Sequence, residues 1–135
     1  MSWGVVILFA VAIAFAVGLH LAERARLRKL LDRPCAGILW HRRFPKVPHD
    51  EIRAFLKMFT DAFAFDEVHF CNFRPDEQPI EIYSARYVPL LNADDHSEFE
   101  SLADALKTTY GIDAYPVWRD GMTLGDLFEL TRSNP

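Results

Sequence analysis

The side chains able to do acid–base, nucleophilic or metal chemistry are few and scattered. Five histidines occur, His20, His41, His49, His69 and His96, and none has the HExxH or paired-ligand spacing that brings two imidazoles onto one metal ion. His20 lies at the edge of an apolar run, an interfacial position. His96 adjoins Asp94 and Asp95, but a catalytic imidazole needs a nucleophile and an orienting partner, and the sequence places neither beside it. The two cysteines, Cys35 and Cys71, form no CxxC and no Cys/His ligand pattern, which argues against a zinc centre. They read as two free, partly buried thiols of a reducing compartment. Asp76-Glu77 and Asp94-Asp95 are carboxylate pairs in expected loops, and neighbours along a chain do not converge on a substrate. Phosphate-cradling GxxxxGK[ST] and GxGxxG loops and the GxSxG elbow are absent from the sequence. The expectation is no catalytic residue, no metal ligand and no enzyme activity.

The strongest signal is physical rather than chemical. Val5 to Val17 is thirteen consecutive apolar residues, and Gly18 to Ala22 extends the run without a Lys, Arg, Asp or Glu. Trp3 to Ala22 is twenty residues, which as a helix reaches about 30 Å, the thickness of the hydrocarbon core. The run is hydrophobic all round, unlike the one-sided stripe of a soluble surface helix. A cleaved signal peptide fits less well: no Lys or Arg precedes the run, and the small-x-small sites Ala12-Ile13-Ala14 and Ala14-Phe15-Ala16 fall inside it. Arg24, Arg26, Arg28, Lys29 and Arg33 all follow it, so the positive-inside rule places the N-terminus outside and the remainder in the cytoplasm. Those five cations would contact lipid headgroups. Trp3 stands where an interfacial aromatic belongs. GxxxG is absent from the span, and Ala10, Ala12, Ala14 and Ala16 favour helix pairing only weakly.

Charge divides the chain. Residues 23–33 carry five Lys/Arg and two Asp/Glu, a net +3, whereas Pro34 onward carries ten and seventeen, a net −7. An acidic domain argues against nucleic-acid binding. Beyond residue 33 about 100 residues remain, enough for a modest core without disulfides, and most of the eleven phenylalanines lie there. The expected organisation is an anchor at 1–22, a basic juxtamembrane helix at 23–33 ended by Pro34, an extended linker at 34–48 and a soluble domain at 49–135. In the linker, Ile38, Leu39, Trp40 and Phe44 would pack onto the domain, while Arg42 and Arg43 would meet lipid headgroups or water. His49 to about Phe63 is expected to be a helix burying Ile52, Phe55, Leu56, Phe59 and Phe63. Val68, Phe70 and Phe73 suggest a short strand or extended segment, and Arg74 to Pro79 a loop. Ile80 to Tyr87 fits either a strand or a one-turn helix. Asp95 to Tyr110 is the clearest soluble helix, capped by Asp94 or Asp95, with Ser97-x-x-Glu100 in capping-box form. Phe99, Leu102, Ala103, Leu106 and Tyr110 form its stripe, and Gly111 ends it in a left-handed conformation. After an Arg119-Asp120-Gly121 turn, Thr123 and Asp126 should cap a last helix that buries Leu124, Leu127, Phe128 and Leu130. The fold class is mainly α: a transmembrane helix and a small helical domain, with room for one or two short strands.

The run DDHSEFESLADALKTTYGID, followed after a gap by TLGDLF, resembles the acyl carrier protein superfamily, as does the chain from about residue 49 to 131, and most closely its divergent bacterial members. The resemblance implies a carrier-like helical fold in a bacterial inner-membrane protein. A working carrier begins this helix with Asp-Ser-Leu and esterifies the serine with phosphopantetheine. Alignment on Ala105, Leu106, Tyr110 and Gly111 puts Asp95 on the aspartate and His96 on the serine, and imidazole cannot form that phosphodiester. Ser97 comes one residue late, about 100° around the helix. No cofactor is therefore expected. Carriers dock basic partners through an acidic face of this helix, and here Asp94, Asp95, Glu98, Glu100 and Asp104 would supply one, although charge at a helix N-terminus explains most of the pattern by itself.

The expected function is a single-pass membrane protein whose degenerate carrier-like cytosolic domain is a protein-interaction module. Its partners are the bilayer and an unidentified protein. The alternatives are a genuine carrier using Ser97 and an immunity- or chaperone-like protein. Orientation has a direct test: alkaline phosphatase fused after residue 40 should be inactive in a bacterial host, and an active fusion would reverse the assignment.

Overall fold

A computed structural model of the full chain describes residues 2–86 and 97–133, which form seven α-helices and one 3₁₀ segment, with no strand among the described residues. The first helix, α1 (Trp3–Leu31), is continuous through both the apolar run and the basic segment. It is long and apolar enough to cross a membrane, and no residue of its most apolar stretch is buried in the protein. Its character changes near Leu19. From there Leu19, Glu23, Leu27, Leu30 and Leu31 are half-buried or buried at helical spacing, and this face packs against α4 (Pro79–Arg86) and the 3₁₀ segment Glu67–Asn72.

The linker is shorter than expected, because its middle is a second helix, α2 (Gly37–Arg43). Pro34, Pro45 and Pro48 all lie outside it, so none interrupts its hydrogen bonding. Ala36, Trp40 and Phe44 share one face; Ala36 and Trp40 are buried, and Phe44 packs on the core with Leu39. Ile38 points away and is 73% exposed, contrary to the expected packing.

α3 (His49–Ala62) buries the expected stripe of Ile52, Phe55, Leu56 and Phe59, with Phe63 just past its end. Asp50 and Glu51 occupy its first turn, where the helix dipole favours carboxylates. The chain leaves α3 through Ala64 at φ 57°, with the Phe65 amide donating back to the Thr60 carbonyl. Asp66 then accepts from the Val68 amide and turns the backbone into the 3₁₀ segment. That local turn explains why no strand forms at Val68–Phe73: Val68 is exposed while Phe73 is fully buried. α4 settles residues 79–86 as helix rather than strand; Tyr87 lies outside the described residues.

α5 (Ser97–Tyr110) buries Leu102 and Leu106 and half-buries Phe99, Ala103 and Tyr110. The caps expected at Asp94 and Asp95 lie outside the described residues. Gly111, at φ 70°, donates to the Lys107 carbonyl, and Ile112 folds back into the interior. This is the left-handed stop that glycine adopts without a Cβ penalty. After a four-residue turn of helix, α6 (Ala114–Val117), the Arg119–Met122 turn leads to α7 (Leu124–Ser133), which buries Leu124, Leu127 and Phe128.

The core is aromatic. Trp40 meets Phe128 edge to face at 5.9 Å and Phe55 at 6.1 Å, and Phe55 meets Phe128 at 5.3 Å. The Trp40 indole N–H donates to the Phe73 carbonyl at 2.9 Å, so the one polar atom of that ring is satisfied inside the core. A second aromatic group joins Phe59, Phe63, Phe73 and Phe99.

Ala64 is the only non-glycine residue at positive φ among those described, and it is exposed. Replacing its Cβ by hydrogen removes a left-handed strain of about 1–2 kcal/mol, offset in part by the greater freedom of glycine when unfolded. Ala64→Gly should therefore stabilise the chain by up to about 1 kcal/mol in urea denaturation in detergent micelles. A loss of stability would contradict this reading of the α3 stop.

Candidate functional site

An apolar groove of about 450 Å³ opens beside α5, within the size range of small-ligand and peptide sites. Phe99, Leu102, Ala103 and Leu106 of α5 form one wall. Pro79 and Ile80 of α4 form another, and Ala114, Tyr115, Trp118 and Met122 close the third. The local sequence explains the third wall. Asp113 accepts from the Tyr115 amide and starts α6, which ends with Trp118 in an extended conformation. Gly121, at φ 81°, then reverses the chain, and the Met122 amide donates to the Arg119 carbonyl. Trp118 leans edge to face on Phe99 at 6.3 Å, and Tyr115 is 74% exposed beside it. Arg119 and Asp120 supply the charged rim.

The expected acidic face of α5 is reshaped. Glu100 and Asp104 are exposed, whereas Glu98 is buried and accepts a hydrogen bond from the Ser97 hydroxyl, so Glu98 does not belong to a docking face. Asp94 and Asp95 lie outside the described residues, as does His96. Ser97 is exposed on the first turn of α5.

The basic segment divides likewise. Arg24, Arg26, Arg28 and Lys29 are exposed along α1, away from its packed stripe. Arg33 turns inward and is not a headgroup contact. Its guanidinium donates to the Leu30 carbonyl at 3.0 Å, the Asn72 carbonyl at 2.9 Å and Glu77 Oε1 at 2.7 Å. Asn72 Nδ2 donates to the Leu31 carbonyl, so two of the last carbonyls of α1 are capped by side chains. Arg43 is equally engaged, pairing with Asp126 at 2.9 Å and donating to the Pro75 carbonyl, while Arg42 stays exposed.

The start of α7 is fully provided with acceptors. The Leu124 amide donates to the Glu77 carbonyl and the Gly125 amide to the Pro75 carbonyl, both at 2.8 Å. Asp126 N–H donates to Thr123 Oγ1 at 3.1 Å, and Thr123 N–H returns the bond to Asp126 Oδ2 at 3.0 Å. That reciprocal pair is the expected capping box. A Cβ on Gly125 would run into the Arg43 guanidinium and the Pro75 carbonyl oxygen, which explains the glycine. The Thr123 amide holds the Asp126 carboxyl below the usual carboxylate range; the Thr123 hydroxyl and Arg43 act in the same direction, and partial burial opposes them.

A second, smaller cluster lies at the exit of α1. Cys35, Cys71, His41 and His49 line a pocket of about 130 Å³. The two imidazoles meet edge to face with ring centroids 3.6 Å apart. Burial, the hydrogen bond with Cys35 and the charge of Cys35 push the Cys71 thiol up to about 11. Among the described residues, no group of three or more His, Cys, Asp or Glu side chains is arranged to hold a metal ion. His69 sits apart, near Asn72, and His20 is exposed on α1.

Sequence reasoning passed over Tyr115, Trp118 and Met122 because AYPVW has neither helical nor alternating periodicity. The available signal was two large aromatics flanking a proline in a segment too short to bury both. The chain matches no family model, no curated protein and no solved structure.

The capping box makes a pH-dependent prediction. A depressed folded pKa means that Asp126 contributes stability above the unfolded carboxylate value of about 4 and loses it as pH falls through the folded value. In urea denaturation across pH 3–7, Asp126→Asn should lower stability near neutrality and flatten the acid limb. Thr123→Ala should cost about 1 kcal/mol. Identical acid limbs for wild type and Asp126→Asn would contradict the assignment.

Proposed function

We propose that this chain is a single-pass membrane-anchored protein whose acidic helical domain is a protein-interaction module, docking a partner segment in the groove beside Trp118. The domain is read as a degenerate carrier-like fold, lying in the bacterial cytoplasm with the N-terminus outside. The observation that carries the docking reading is the groove itself: an apolar floor with Tyr115 and Trp118 exposed at its edge. Amphipathic aromatics at a concave patch are what protein hot spots are made of. Exposed Glu100 and Asp104 on the neighbouring α5 favour a partner that flanks its apolar side chains with Lys or Arg.

Three features support the membrane reading. α1 has an apolar stretch that the protein itself leaves uncovered. Arg24, Arg26, Arg28 and Lys29 project from it where the anionic leaflet would lie, with each such cation worth about 1 kcal/mol near the surface. The helix then continues directly into the packed domain, which holds the domain close to the bilayer.

The test is photocrosslinking in cells of the full chain carrying benzoylphenylalanine at Tyr115. A discrete protein adduct is expected, with Trp118→Ala reducing its yield several-fold, in line with about 1–2 kcal/mol per hot-spot residue. No adduct, together with full cellular function of a chain lacking residues 1–22, would refute the proposal. A phosphopantetheine gained on Ser97 in intact-mass analysis would replace it with covalent carriage.

A further inference from the structure

Cys35 and Cys71 are far apart in sequence, yet the fold brings them together at the point where α1 ends and the domain begins. The Ala36 amide donates to the Cys71 carbonyl at 2.6 Å, which sets the two cysteine backbones side by side. Both thiols line the small pocket beside His41 and His49, and the Cys71 thiol donates to Asn72 Oδ1 at 3.7 Å. Both are free thiols, but their environments differ: Cys35 is exposed and Cys71 is half-buried. We propose that they form a redox-active pair, a modification site at which a small disulfide such as oxidised glutathione closes an intramolecular Cys35–Cys71 bond.

The asymmetry assigns the roles. Cys35 is open to a bulky reagent, so its thiolate attacks one sulfur of the disulfide, forming a mixed disulfide and releasing one glutathione thiolate. Cys71 is less open than Cys35, and partial burial pushes its thiol up, favouring the protonated form in the resting state. Once Cys35 is in the mixed disulfide, Cys71 gives up its proton and attacks the Cys35 sulfur, and the second glutathione leaves as its thiol. Overall, two protein thiols lose two protons and two electrons, and one glutathione disulfide becomes two glutathiones. The neighbouring backbones make this second step intramolecular and fast compared with attack by a second external thiol.

The bond would act on the fold in a definite place. It would close a loop that contains α2 and α3, the helices that carry Trp40 and Phe55. It would also fasten the exit of α1 to the 3₁₀ segment next to Asn72, where Arg33 already ties the same two pieces. Oxidation therefore stiffens the junction between the membrane-crossing helix and the domain, and reduction returns it to non-covalent contacts alone.

The full chain in detergent micelles, treated with oxidised glutathione and followed by intact mass and non-reducing peptide mapping, tests this. The expected product is a monomer that has lost two hydrogens, with the Cys35 and Cys71 peptides linked, a raised Tm, and full reversal by dithiothreitol. Cys71→Ser should stop at one glutathione on Cys35. Cys35→Ser, at an exposed position that leaves folding intact, should slow modification of the remaining thiol at least several-fold. Glutathione adducts without an internal bond, disulfide-linked dimers, or thiols that stay reduced in excess reagent would each overturn the proposal.

Discussion

The loop from Phe73 to Pro79 is where the structure is tied together. Glu77 alone joins the exit of α1 to the start of α7. Its carboxylate accepts from Arg33 at the end of α1 and from the Arg74 amide, and its carbonyl accepts from the first amide of α7. Two residues earlier, the Pro75 carbonyl takes the Gly125 amide and the Arg43 guanidinium of α2. The Phe73 carbonyl takes the Trp40 indole. Helix ends leave amides that must find partners when buried, and this irregular segment supplies them for the first two amides of α7 while its carbonyls also hold the Trp40 and Arg43 side chains of α2. The Arg33 and Glu77 side chains are only 21% and 14% exposed, so loss of one partner would strand a charge in a poorly hydrated site.

This knot gives the apolar packing its direction. With α2 and α7 held to the same loop, Trp40 and Phe128 are brought into contact, and Phe55 of α3 fills the space beside them. Each buried aromatic contributes on the order of 2 kcal/mol, and such groups pack in many arrangements. The hydrogen bonds of the loop select one. The same loop runs into α4, whose start forms one wall of the groove, so the floor of the site and the base of α1 rest on one support. The apolar helix α1, the helical domain and the groove are thereby linked through one loop.

Features that depend on near neighbours in the sequence were legible. The stripe of α3, the stripe of α5, the glycine stop at Gly111 and the Thr123–Asp126 box follow from helical spacing and local chemistry, and each occurs at its expected residues. The apolar character of α1 follows from composition. What escaped depends on partners distant in sequence. Arg33, Arg43 and Glu98 look like solvated charges until Glu77, Asp126 and a buried helix face are seen around them. α2 was hidden because the flanking prolines suggest an extended chain, although none falls inside the helix. The third wall of the groove lacks periodicity altogether, and the adjacency of Cys35 and Cys71 arises only when the 3₁₀ segment folds back against the exit of α1.

The central claim is that α1 is a rigid strut, crossing the bilayer and continuing without a hinge into the domain. Nitroxide labels placed one at a time through residues 17–31, in a Cys35→Ser, Cys71→Ser chain in lipid bilayers, measure this directly by side-chain mobility. The account predicts uniform lipid exposure up to Gly18, then minima of mobility at Leu19, Glu23, Leu27 and Leu30, the face that packs on α4. High mobility with no helical period beyond Ala22 would mean a flexible tether and would contradict it.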